Sequence, residues 1–104
     1  MKTLLHATAL AGLLCSPAYA MGPIEKACLK AGRAGTSREL CGCIQDVANA
    51  TLTRTEVRRA AKFFNDPHMA QELRQSDRRS DEAFWERYKL FGETAETYCG
   101  AGES

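Results

Sequence analysis

The sequence predicts an all-α fold, a small bundle of about four helices stapled by two disulfides. Three observations lead there. Apolar residues recur at helical spacing, and no stretch alternates with period two for long enough to be a strand. Proline and glycine fall between the periodic segments, apart from Gly42 and Gly92. Four cysteines, Cys28, Cys41, Cys43 and Cys99, remain once a leader is set aside, and an even count in a short exported chain points to disulfides.

The leader comes first in the chain. Met1-Lys2 gives a positive start, and Thr3 to Cys15 is an uncharged run dominated by Leu and Ala. Ser16-Pro17 breaks the helix, and Ala18-Tyr19-Ala20 offers small residues to a signal peptidase. The apolar run is about 13 residues, whereas a bilayer span needs roughly 20. The expectation is a cleaved signal peptide over 1–20, a helical domain over 21–99 and a frayed tail over 100–104. Cys15 leaves with the leader, because Leu14 before it does not suit a lipid-modified cysteine.

Within the domain, Pro23 suits the first position of a helix reaching about Arg33, with Ile24, Ala27, Cys28 and Ala31 on one face and Gly32 and Gly35 at its end. Thr36 and Glu39 have the spacing of a capping box for a second helix, whose stripe is Leu40, Ile44, Val47 and Thr51. Thr53 and Glu56 make a second such box. Val57, Ala60, Ala61 and Phe64 follow it, and Asn65-Asp66-Pro67 ends that helix. Pro67 to Arg74 is a further short helical turn, and Gln75 to Arg79 reads as a loop. A last helix runs from near Ser80 to about Tyr98, with Asp81 and Glu82 in its first turn, where the dipole favours acids. Its stripe is Phe84, Tyr88, Phe91, Ala95 and Tyr98, widened by Trp85. Gly92 leaves room beside it for another helix to approach.

Cys41 and Cys43, two apart on a helix, point about 200° from each other. Each therefore flanks the buried stripe on its own side, and they are badly placed to bond one another. A tight hairpin through Ala34 and Gly35 brings Cys28 level with Cys41, which favours Cys28–Cys41 with Cys43–Cys99. The crossed pairing, Cys28–Cys43 with Cys41–Cys99, is the alternative.

Without Lys2, the 14 basic residues become 13 against 13 acidic ones, so the mature chain over 21–104 is formally neutral. A neutral domain has no net field to draw in nucleic acid or an acidic membrane. One histidine outside the leader, no glycine-rich loop and no free thiol argue against an enzyme, and no cofactor or metal is expected. Cys41-Gly42-Cys43 reads as structural rather than redox, because it lies inside a helix and not at a helix start. His68, Met69 and Met21 are too sparse for a copper site. Arg54, Arg58, Arg59 and Lys62, then Arg74, Arg78 and Arg79, could grip a carboxylate, a phosphate or an acidic partner. Interspersed acids also fit a solvated face with local ion pairs. Trp85, off the centre of its stripe, belongs to the core or to a groove.

Several motifs carry a resemblance. They are Glu25-x-x-Cys28, Cys-Gly-Cys-Ile-Gln (Cys41 to Gln45), Arg-Arg-Ala-Ala-Lys-Phe-Phe (Arg58 to Phe64), the segment from Gln75 to Trp85, and the Tyr98-Cys99 end. Together they resemble a group of small secreted bacterial proteins with four cysteines, some labelled "arginine transporter". The resemblance supplies no catalytic residues, and it implies at most an accessory or binding component of a transport system. It directs attention to Gln75–Trp85, a polar stretch that a core role explains poorly. The functional expectation is a periplasmic or secreted, non-catalytic interaction module. Its contact surface is expected at Arg74, Asp77, Arg78, Arg79, Asp81 and Trp85, with a protein partner or a small anion, no nucleic acid and no stable membrane insertion. A small-ligand binder for an amino acid or anion, with a groove near Trp85, is the alternative.

Overall fold

The computed structural model describes residues 21–100. The leader over 1–20 and the tail beyond Gly100 lie outside the described residues. Five helices follow in order: α1 (Pro23–Ala31), α2 (Arg38–Thr51), α3 (Arg54–Asn65), α4 (His68–Gln75) and α5 (Arg79–Cys99). There is no strand among the described residues. α1 packs on α2 and α3, α2 packs on α5, and the short α4 is seated against α3 and α5.

Each helix starts and stops for a local reason. Pro23 opens α1, and Gly32 closes it in the left-handed region at φ 58°, donating its N–H to Leu29. The helix therefore ends before Arg33, since a glycine takes that conformation without a Cβ clash. Pro23 has no N–H, so Ile24 and Glu25 present the first free donors. Both donate to Oε1 of Gln45 on α2, at 2.7 and 3.0 Å. A side chain from another helix thus caps α1.

The expected Thr36–Glu39 capping box is replaced by Ser37, whose hydroxyl accepts from the Leu40 N–H at 3.0 Å. Ser37 stands three residues before Leu40, so it reaches the third helical N–H directly. The Thr53–Glu56 box forms in both directions, at 3.0 and 3.2 Å. Asp66 ends α3 and then accepts from the His68 N–H at 3.2 Å, turning the chain into α4.

Cys28 bonds Cys41 and Cys43 bonds Cys99, with Cα atoms 5.6 and 5.9 Å apart. Cys41 is fully buried rather than on the edge of its stripe. The buried face of α2 holds Cys41, Ile44, Gln45, Val47 and Ala48, so it is rotated toward α1, while Leu40 and Thr51 are only half-buried. The rest of the core is built on Ile24, Phe63, Phe84 and Phe91. Tyr98 is 75% exposed and so leaves the expected aromatic stripe. Gly92 faces open space, and no helix approaches it closely.

Candidate functional site

The polar segment from Gln75 to Trp85 forms the junction of α4 and α5. Gln75 completes α4, residues 76–78 make the link, and Arg79 begins α5. Leu73 anchors the end of α4 in the core at 2% exposure. Phe84 does the same for the first turns of α5, with its ring centroid 6.2 Å from that of Phe63 on α3.

Asp81 holds the link together. Its carboxylate accepts from the Ser76 hydroxyl at 2.8 Å and from Nη1 of Arg59 on α3 at 3.1 Å. The Ser76 oxygen accepts in turn from the Arg78 N–H at 3.2 Å. Arg59 also lies over the Phe84 ring, 5.0 Å from its centroid, a cation–π contact that fixes the guanidinium. The Ser76 hydroxyl first, then the Arg59 and Arg78 charges, hold the Asp81 carboxyl below its ordinary range against a partial loss of solvent. Asp81 is therefore buried and engaged, a support of the junction rather than part of its outer surface.

A second ion pair ties α3 to α5. Glu56, already in the capping box, accepts from Nε of Arg87 at 2.9 and 3.0 Å and also from its Nη2. The Arg87 hydrogen bonds lower the Glu56 pKa, and burial opposes them. Neither Arg59–Asp81 nor Glu56–Arg87 has a local signal in the sequence, since the partners lie 22 and 31 residues apart. The capping box was the one visible half of the second pair.

The remaining expected site residues divide. Leu73, Arg74, Ser76, Arg79 and Trp85 line one open cleft of about 540 Å³ between α4 and α5, with Glu82 and Glu86 at its rim. Trp85 is half-buried and stacks on Tyr88 with centroids 5.8 Å apart. Arg78 lines a smaller cleft of about 300 Å³ on the other side, beside Arg59 and Met69. Asp77 is exposed and lines neither of them. None of Arg74, Arg78 and Arg79 has a carboxylate oxygen within 4.0 Å among the described residues.

Sequence reasoning gave no hint of a third, more apolar groove of about 710 Å³, whose walls include Leu40, Ile44, Phe64, Phe91 and Ala95. Among the described residues no group of three His, Cys, Asp or Glu is placed to hold a metal ion. No helix among them is long and apolar enough to cross a membrane. The two disulfides belong to an oxidising compartment. No family model matches the chain, and no curated protein or solved structure matches it.

Proposed function

We propose that the chain is an exported, periplasmic or secreted module that works without catalysis. In this reading it engages a protein partner at the α4–α5 junction through Arg74, Arg79 and Trp85, with Arg78 and Asp77 on the flank. One observation carries it: Arg74, Arg78 and Arg79, gathered at one junction, have no ion-pair partner among the described residues, although the unpaired Asp77 and Glu82 stand near them. Asp81 pairs with Arg59, and Glu86 pairs with Lys89 at 3.2 Å. A solvated face with local ion pairs would have used these arginines. Arginine and tryptophan are also the residue types that dominate contact energies at interfaces. The experiment is affinity capture from envelope extract with the wild-type chain and with Arg74→Ala/Arg79→Ala, both shown to melt alike. A partner held by the wild type and lost by the variant supports the reading, and equal capture by both overturns it.

A second reading has an observation of its own. The cleft beside Trp85, at about 540 Å³, falls within the size range of small-ligand sites, and it brings two guanidinium groups together. That suits an amino acid or other anion, as the accessory role implied by the resemblance would require. Trp85 is the only tryptophan, so its emission reports this cleft alone. A saturable change on adding arginine or inorganic phosphate favours this reading over the first.

A further inference from the structure

The fold sorts charges that the sequence leaves mixed. Arg54, Arg58 and Lys62 stand at i, i+4 and i+8 on α3, all exposed, in one row with a rise of about 6 Å per step. Lys26 and Lys30 stand at i and i+4 on α1, also exposed. The two helices lie side by side and run the same way. Pro23 shares a cleft with Arg54 and Arg58, and Ala31 shares the next one with Phe64. The buried faces of α1 and α3 meet each other and α2, which leaves the two cationic rows on the outward side of the pair.

None of the five cations has a carboxylate oxygen within 4.0 Å among the described residues. Glu25 and Asp46 line the cleft beneath Arg54 and Arg58 but remain beyond that distance. Like charges at i, i+4 repel, so the row works against the helix that carries it. Glu82, Glu86, Glu93 and Glu96 are exposed on α5 instead. A chain whose charges nearly cancel, 14 basic against 13 acidic residues, therefore gathers exposed cations on α1 and α3.

We infer that this α1–α3 face is a peripheral docking surface for an anionic phospholipid layer, independent of the α4–α5 junction. Two rows of unpaired cations on neighbouring helices present several charges at once, which suits a dense array of headgroup phosphates better than a single anion. Five flexible or forked cations, none of them ion-paired to the nearby Glu25 and Asp46, need no sequence or shape in the partner, only density of negative charge. The absence of a membrane-spanning helix among the described residues fits adsorption at the surface by charge alone.

The test is sedimentation of the exported, oxidised chain with mixed phosphatidylglycerol–phosphatidylcholine vesicles and with pure phosphatidylcholine vesicles. Binding is expected to the mixed vesicles only. It should fall steeply as ionic strength rises from about 0.05 M to about 0.5 M, because screening shortens the reach of each charge. Arg54→Gln/Arg58→Gln/Lys62→Gln should lower vesicle affinity on the order of a hundredfold, since each surface cation contributes about fivefold to binding. Lys26→Gln/Lys30→Gln, on the other helix, provides an independent second variant with a loss of at least about tenfold. Glu93→Gln/Glu96→Gln should change little. The inference is overturned if the mixed vesicles are not bound, or if the glutamine variants bind them as tightly as the wild type with unaltered melting. It is also overturned if the face binds polyglutamate but no vesicle, which would make the partner a polypeptide.

Discussion

Gln45 is a polar residue only 6% exposed, and its amide oxygen accepts the first two free N–H groups of α1. Its Nε2 donates to Asn49 at 2.9 Å, so the whole amide is satisfied. Removing it leaves buried donors without acceptors, at a cost of about 1–3 kcal/mol. Gln45→Ala should therefore lower unfolding free energy by about 2 kcal/mol in urea, and a loss below about 0.5 kcal/mol would show that water replaces the amide. Gly22→Ala should mimic part of this effect, because a Cβ there runs into the Gln45 side chain. Glu56 and Asp81 both have folded pKa values below their ordinary 4.5 and 3.8. A lowered carboxyl pKa contributes stability in full above the ordinary value and loses it as pH falls through the folded one. The melting temperature should thus drop on acidification below about pH 4.5. Glu56→Gln with Asp81→Asn should be less stable at neutral pH and less sensitive to acid. An unchanged acid profile in that variant would mean other carboxyls set it. The Thr53–Glu56 box was legible because its partners are three residues apart. Gln45, Arg59 and Arg87 were not, because each meets a partner at least 20 residues away in the chain.

At the scale of elements, α2 is the hub of the bundle. One staple closes the α1–α2 hairpin over a separation of 13 residues, and the other fastens the end of α5 to α2 over 56. Chain-entropy reasoning assigns about 3 and about 4 kcal/mol to loops of these sizes. Cys43→Ala/Cys99→Ala should lose about 4 kcal/mol, and most of that loss should appear as loosening of the α5 C-terminal turns in hydrogen exchange. Equal protection of those turns in variant and wild type would show that packing alone holds α5. The pairing was readable from two angles on one helix and one short hairpin. The exact facing of α2 was not, since it depends on how far α1 wraps the Cys41 side. The fate of Tyr98 depends on where its neighbours stop: Cys99 is tied to Cys43, near the start of α2, and Tyr98 lies at that end of the bundle. A period of 3.6 shows which residues share a stripe, but not where the covering helix ends.

Over the whole molecule, two functions of polar residues separate. One set joins helices: Asp81 with Ser76 and Arg59, and Glu56 with Arg87. The other set faces outward without a carboxylate partner among the described residues: Arg74, Arg78 and Arg79 at the α4–α5 junction, and the cationic rows of α1 and α3. Composition nearly cancels these charges, and only the fold divides them. The polarity of Gln75–Trp85 was legible as an anomaly, but its split into a buried support and a set of exposed arginines required the position of Arg59. The most direct check on that split is thermal melting of two oxidised variants beside the wild type, Arg74→Ala/Arg78→Ala/Arg79→Ala and Asp81→Ala. The expected result is a triple variant that melts with the wild type and an Asp81 variant that melts clearly lower. A triple variant that loses as much stability as Asp81→Ala would contradict the division and return the junction to a purely structural role.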